Sequence, residues 1–177
     1  MASLPSTPSV RSLLLSLLCC FSVIGHAQAQ EPVDQGPVIE ELSALDRNYM
    51  YGQRNLASEL AAKHLGRNIR GERDNDLDIL QDLLDRQVIK PEQTRELQSL
   101  GLVMGDLLAD ELAMHWVVYK DKVGRSRALR YKDTDLYLFP VTMISRRVEV
   151  GNTEPVAQIY ARAVASIKSG RGPLPFE

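Results

Sequence analysis

The sequence predicts an α+β fold in which N-terminal helices and a C-terminal helix pack on a small antiparallel sheet. Apolar residues recur at spacings of three or four within residues 38–112 and 156–167, as in amphipathic helices. Between them, residues 114–139 are rich in β-branched and aromatic side chains and are interrupted by turn sequences, which is typical of strands. The length of 177 residues corresponds to one domain.

Residues 1–29 have the pattern of a secretory signal peptide. Arg11 precedes a nearly unbroken apolar run over 13–24, and Ala-Gln-Ala at 27–29 provides the small residues that signal peptidase recognises. The apolar run is shorter than the roughly 20 residues that span a bilayer. We therefore expect a periplasmic protein that begins at Gln30 and has no stable membrane insertion after cleavage. An uncleaved membrane anchor is the alternative.

Cys19 and Cys20 both lie in this apolar run, so the mature chain has no cysteine. Leu18, just before them, is not the small residue that lipoprotein processing requires. The mature chain therefore has no disulfide, thiolate zinc site or thiol chemistry. Removal of Arg11 leaves 20 basic and 23 acidic side chains, a net charge of −3. This balance does not favour binding to nucleic acid.

After a polar leader over residues 30–37, the spacing of apolar residues predicts a long helix over 38–64. Gly66 follows as its C-terminal stop, and Gly52 is the position for a bend or break. The domain is expected to extend from this helix to residue 170.

Two further helices are predicted before the sheet. The second begins at the acidic segment 74–78, whose carboxylates suit a helix N-terminus, and ends before Pro91. The third restarts at Pro91 and continues to Leu112. Gly101 and Gly105 lie four residues apart on one face of this helix, where they allow another backbone to approach closely. We favour packing within the chain over a dimer contact.

The predicted sheet begins with an interior strand over 114–120, because both of its faces are apolar. A turn over 121–124 leads to a return strand over 125–132, and a third strand follows over 136–139.

The region after the third strand is less clearly patterned. Residues 141–150 fit a short helix or a strand, and we favour the helix. A helix over 156–167 closes the domain, and residues 171–177 are expected to be a loose tail.

Several short sequences occur in a distinctive order: GLVMG at 101–105, WVVY at 116–119, GR at 124–125, ALR at 128–130, FP at 139–140 and RR at 146–147. This order resembles a bacterial domain-of-unknown-function family, DUF number 3806, over about residues 97–167. The family brings no activity, cofactor or catalytic residue. The resemblance implies that this stretch is one structural module.

The candidate binding residues are basic side chains on and after the predicted hairpin, together with the neighbouring tryptophan: Arg125, Arg127, Arg130, Lys132, Arg146, Arg147 and Trp116. Alternation along a strand places Arg127 on one sheet face and Arg130 with Lys132 on the other. Such side chains would bind an anionic ligand, such as a carboxylate or glycan, or an envelope protein. The alternative is a solvated face with weak ion pairs to Asp133 and Asp135.

Catalytic patterns are missing from the mature sequence. The only histidines are His64 and His115, and there is no Gly-x-Ser-x-Gly or phosphate-binding glycine motif. We expect a non-enzymatic binding or protein-interaction module without a cofactor or a metal. The alternative is a small hydrolase or metal-dependent enzyme that uses His115 with Asp106, Asp110 or Glu111.

Overall fold

The computed structural model describes residues 36–170, which belong to one compact unit. The predicted signal peptide, most of the leader and the predicted tail lie outside the described residues. The elements in chain order are β1 (Val38–Glu41), α1 (Ala44–Leu65), α2 (Arg73–Asp85), α3 (Thr94–Leu112), β2 (Met114–Lys120), β3 (Arg125–Tyr131), β4 (Tyr137–Leu138), α4 (Pro140–Met143), α5 (Ser145–Glu149) and α6 (Val156–Lys168). This architecture confirms the predicted α+β class.

The four strands form an antiparallel sheet in the order β1-β2-β3-β4. Trp116 lies opposite Leu129, and Leu129 lies opposite Leu138, so these three side chains share one face. We call it the inner face, because Leu129 and Leu138 belong to the core cluster that the helices share. The outer face carries Val117 and Ala128. β2 is an interior strand, as predicted.

The main core is built around α3, whose residues from Leu97 to Leu108 are almost all buried. α1 contributes Ala57 and Ala61 to this core, and α6 contributes Ile159 among others. A helix buried on most of its surface must be apolar nearly all round, which is the pattern of this sequence. α3 is therefore the element on which the other helices and the inner face pack.

The prediction of helix over residues 38–41 is wrong, because this segment is strand β1 and pairs with β2. α1 begins only at Ala44, where Ser43 and Asp46 form a capping box. The Ser43 side chain accepts a hydrogen bond from the Asp46 backbone N–H at 3.1 Å, and the Asp46 carboxylate accepts from the Ser43 N–H at 3.1 Å. α1 then continues through Gly52 without the break that the sequence suggested.

Other boundaries differ by a few residues. α2 ends at Asp85, and α3 starts at Thr94 rather than Pro91. Residues 141–150 are helical, as favoured, but they form two short helices that meet at Ile144. Asp76, in the acidic segment, is buried and accepts hydrogen bonds from backbone N–H groups of the preceding loop rather than of its own helix.

Gly101 and Gly105 provide close packing within the chain, as predicted. A Cβ atom on Gly101 would lie 2.5 Å from the carbonyl oxygen of Pro140, and one on Gly105 would lie 2.6 Å from the Trp116 ring. α4 and the Trp116 indole therefore approach α3 at positions where no other residue type fits.

Candidate functional site

The predicted basic residues are distributed over four places. Arg125 and Arg127 lie on the inner face, since they pair with Lys120 and Val118 in the β2–β3 ladder. Arg130 lies on the outer face. The remaining basic residues are Lys132, in the turn after β3, and Arg146 and Arg147, in α5.

Arg125 and Arg127 both bind Asp46, which is 2% exposed. Their Nη2 atoms lie 2.7 Å and 3.0 Å from its carboxylate oxygens. The hydrogen bond from Arg125 lowers the pKa of Asp46; burial opposes this shift, and the Ser43 hydrogen bonds add to it. The Arg127 guanidinium also stacks 4.0 Å above the Tyr49 ring. These two arginines attach β3 to the start of α1 through the Asp46 carboxylate.

Trp116 also has a structural partner. Its Nε1–H donates to Asp106 Oδ1 at 3.0 Å, and Arg54 donates two hydrogen bonds to the same carboxylate, at 2.6 Å and 2.7 Å. This network joins α1, α3 and β2. His115 precedes Trp116 and therefore projects from the opposite side of the sheet, away from Asp106.

The enzyme alternative depended on His115 meeting nearby carboxylates. Within residues 36–170, no three His, Cys, Asp or Glu side chains converge into a group that could hold a metal ion. His115 is exposed and lies opposite Arg130 in the ladder.

Arg130 lies beside an aromatic group on the outer face. Its guanidinium carbon is 5.9 Å from the Tyr137 ring centre, and its Nε donates to the Thr134 carbonyl at 2.9 Å. Tyr119 packs edge-on against Tyr137 and Phe139, with ring centres 5.0 Å and 5.2 Å apart. We call Tyr119, Tyr137 and Phe139 the outer aromatic cluster.

The turn after β3 places Lys132 apart from Arg130. Lys132 is exposed and has a positive φ of 50°, and its amino group lies 5.1 Å from the Tyr131 ring centre. Tyr131 belongs to the inner face, because it lies opposite Met114. Arg130 and Lys132, predicted to share one face of the sheet, are therefore separated where β3 ends.

Arg147 lies at a cleft of about 400 Å³ between the end of α2, the α2–α3 loop, α5 and the start of α6. The apolar part of its wall consists of Leu84, Ile89, Pro91, Ile144, Val148 and Ile159. Such a concave apolar wall with a few polar groups is typical of ligand sites.

The polar wall of the cleft contains the mostly buried ion pair between Arg147 and Glu154. Arg147, whose side chain is 16% exposed, donates from Nε to Glu154 at 3.1 Å and from Nη1 to the Met143 carbonyl at 2.6 Å. Arg162 of α6 pairs with the other carboxylate oxygen of Glu154. Burial acts to raise the pKa of Glu154, but the hydrogen bonds and charges of Arg162 and Arg147 outweigh it and hold that pKa below its ordinary value. Glu154 is therefore ionised at neutral pH.

The sequence identified Arg147 but not its surroundings. Glu154 looked like part of a helix start, and Arg162 lies on the polar face of the C-terminal helix. The sequence feature that could have indicated this pair is the glycine-containing loop between Arg147 and Glu154. In the structure Gly151 has a φ of 75° and turns the chain back. Such a return places side chains seven positions apart side by side.

These observations define an α+β domain with a cleft among its helices. Residues 76–160 match the family model described as Domain of unknown function (DUF3806), the family that the order of short sequences resembles. The residues that line the cleft, from Gln81 to Ile159, all lie inside the matched segment.

The fold is similar to a crystal structure of a protein from Bacteroides thetaiotaomicron VPI-5482, with a TM-score of 0.66 and 18% sequence identity. The similarity covers 76% of this chain and 50% of that chain, so this chain matches half the length of the other protein. At this identity the likeness concerns the fold alone. No curated protein matches this chain.

None of the helices within the described range is long and apolar enough to cross a bilayer.

Proposed function

We propose that this protein is a non-enzymatic binding module that acts in the periplasm, and that the cleft beside α5 is its binding site. The observation that carries this proposal is an apolar wall and the mostly buried Arg147–Glu154 pair in the lining of one cavity. Apolar surface supplies affinity, and a few placed polar groups orient a ligand.

The loops at the rim of the cleft support the same assignment. Residues 87–91 and 151–154 join helices that pack on the core, and they bring Lys90, Asn152 and Thr153 to the opening. Binding residues commonly lie on loops that a rigid scaffold positions. Here the scaffold is α2, α3 and α6.

The test of the site uses Nile red, a neutral apolar dye that becomes fluorescent in apolar surroundings. We expect saturable binding to the mature protein, because the dye would cover the apolar wall. Val148→Asp places a charge on that wall and should weaken binding at least about tenfold, the equivalent of about 1.4 kcal/mol.

Val150→Asp is the matched control. Val150 lies two residues away, is 79% exposed and does not line the cleft. Thermal unfolding of both variants shows whether either has lost its fold. Dye binding that does not saturate, or that both folded variants retain equally, would contradict the proposed site.

Export is supported by the signal-like pattern of residues 1–29. Mass spectrometry of the protein from a periplasmic fraction is expected to give a chain that begins at Gln30. A chain of full length in the membrane fraction would instead indicate the uncleaved anchor.

The outer aromatic cluster favours a second function, docking of an envelope protein. Aromatic residues and arginine are enriched at protein interfaces, and Arg130 lies against Tyr137. We expect Arg130→Glu to abolish capture of a partner from envelope extracts, whereas Arg146→Glu retains it. Equal capture by both variants argues against this surface.

A further inference from the structure

The two mostly buried charges in the lining of the cleft are already paired within the protein. Arg147 and Glu154 have side chains that are 16% and 17% exposed, and they lie 3.1 Å apart. Arg147 also donates from Nη1 to the carbonyl oxygen of Met143. The second carboxylate oxygen of Glu154 binds Arg162, which lies outside the lining. Neither charge is therefore without a counter-ion.

The lining as a whole has no net charge. Its charged side chains are two acidic and two basic residues: Asp85, Lys90, Arg147 and Glu154. Asp85 and Lys90 are exposed, so water and salt screen their charges. The apolar wall, in contrast, includes Ile144 and Ile159, which are 0% and 3% exposed. A charged group that entered the cleft would lose hydration without gaining an unpaired counter-ion.

Uncharged polar groups are also present at the rim. Gln87, Asn152 and Thr153 are exposed residues of the lining, with two amides and one hydroxyl among their side chains. Such groups can both donate and accept hydrogen bonds. They suit a polar ligand group that has no charge.

We propose that the cleft binds an uncharged amphiphile, that is, an apolar chain that ends in a hydroxyl, ester or amide group. The chain would lie on the wall formed by Leu84, Ile89 and Val148, and its polar end would meet the amides and the hydroxyl of the rim. This inference rests on the proposed function, because it names the ligand class of the same cleft.

The ion pair opposes charged ligands of either sign. An anion would have to compete with Glu154 for Arg147, and a cation would have to compete with Arg147 for Glu154. Separation of a mostly buried pair leaves a charge without its partner, which is strongly unfavourable. The Arg147–Glu154 pair therefore selects against anions and cations together.

The experiment compares ligands of one chain length and three charges. Decanol, decanoate and decylammonium are each titrated into mature protein saturated with Nile red, at neutral pH and below their solubility and micelle limits. We expect decanol to displace the dye at a concentration at least about tenfold lower than either ion, because each ion loses hydration in the cleft.

Glu154→Gln tests the role of the ion pair. It removes the carboxylate partner of Arg147 and gives the lining a net charge of +1. Decanoate should then displace the dye at a concentration at least about tenfold lower than from the unmodified protein, through a new charge-assisted hydrogen bond, with decanol displacement unchanged. Glu149→Gln is the matched control, because Glu149 is exposed and does not line the cleft, and its replacement changes the charge of the protein equally. It should leave all three displacements unchanged.

The outcomes separate the ligand class from the proposed function. Displacement by decanoate or decylammonium at the same concentration as decanol, or a lower one, overturns the ligand class and leaves the binding site standing; this comparison requires no substitution. Thermal unfolding shows whether Glu154→Gln is folded, and a folded variant without the gain for decanoate overturns the role of the ion pair. Failure of Nile red itself to bind overturns the proposed function together with the inference.

Discussion

At the scale of single residues, the Asp46 carboxylate connects two parts of the chain. It completes the capping box of α1 with Ser43 and binds Arg125 and Arg127 of β3. A buried carboxylate is stabilised only when its oxygens have charged or polar partners, and here both oxygens have them. The same side chain therefore starts a helix and attaches it to the sheet.

We expect Asp46→Asn to lower the free energy of unfolding by about 2 kcal/mol at neutral pH, because it weakens charge-assisted hydrogen bonds to a buried group. Urea denaturation measures the change. Asp133→Asn is the control, since Asp133 is an exposed residue of the turn after β3; its effect should stay within about 0.5 kcal/mol.

The pH dependence of stability tests the same carboxylate. Asp46 has a pKa below its ordinary 3.8, so its contribution is complete above the unfolded-state pKa and is lost as pH falls toward the lower folded-state value. Asp46→Asn should therefore lose less stability on acidification than the unmodified protein. Identical acid profiles would show that Asp46 does not carry this linkage.

At the scale of elements, α3 owes its central position to two glycines. Gly101 lets the backbone of α4 approach, and Gly105 accommodates the Trp116 ring. Glycine lowers helix stability, but here the loss is offset by close packing around the most buried helix of the described range.

Gly101→Ala should lower the free energy of unfolding by about 1–3 kcal/mol, because its Cβ would overlap the carbonyl oxygen of Pro140. Gly52→Ala, in the exposed part of α1, has no atom near its added Cβ and should raise stability by up to about 1 kcal/mol. Thermal or urea unfolding measures both. A decrease in the free energy of unfolding for Gly101→Ala together with an increase for Gly52→Ala supports the packing role of Gly101. Stabilisation by both substitutions would contradict it.

At the scale of the whole molecule, the folded unit extends beyond the family segment. α1 lies before residue 76, yet it supplies Arg54 to the Asp106–Trp116 network and Ala57 to the main core. The second half of α6, including Ile167, also packs in that core after the segment ends.

We therefore expect a fragment of residues 76–160 to be unfolded and a fragment of residues 36–170 to unfold in one cooperative transition. Without α1 and the end of α6, α3 exposes apolar surface that cannot offset the entropy of ordering the chain. Circular dichroism during urea denaturation distinguishes the two. Cooperative unfolding of the shorter fragment would show that α1 is dispensable.

Much of the fold could be predicted from the regular spacing of apolar residues along the chain. The helical spacing of α3 and α6 and the hairpin of β2 and β3 follow local patterns, because helices and strands repeat every 3.6 and two residues. The helix prediction for residues 38–41 is wrong because four residues are too few to distinguish between these two periods. The conformation of this segment depends on pairing with residues of β2 that lie 76 to 82 positions away along the chain.

The sequence by itself determined the fold class, the central apolar helix, the tight packing at Gly101 and the placement of Arg127 and Arg130 on opposite faces of a strand. All of these depend on residue type and on near neighbours along the chain.

Only the tertiary structure decided the partners of the basic residues. Arg125 meets Asp46 across 79 positions, and the cleft beside Arg147 draws its apolar wall from helices and loops spread between Gln81 and Ile159. Such contacts arise when distant elements pack around one core, and no local pattern of residues encodes which charged side chains that packing brings together.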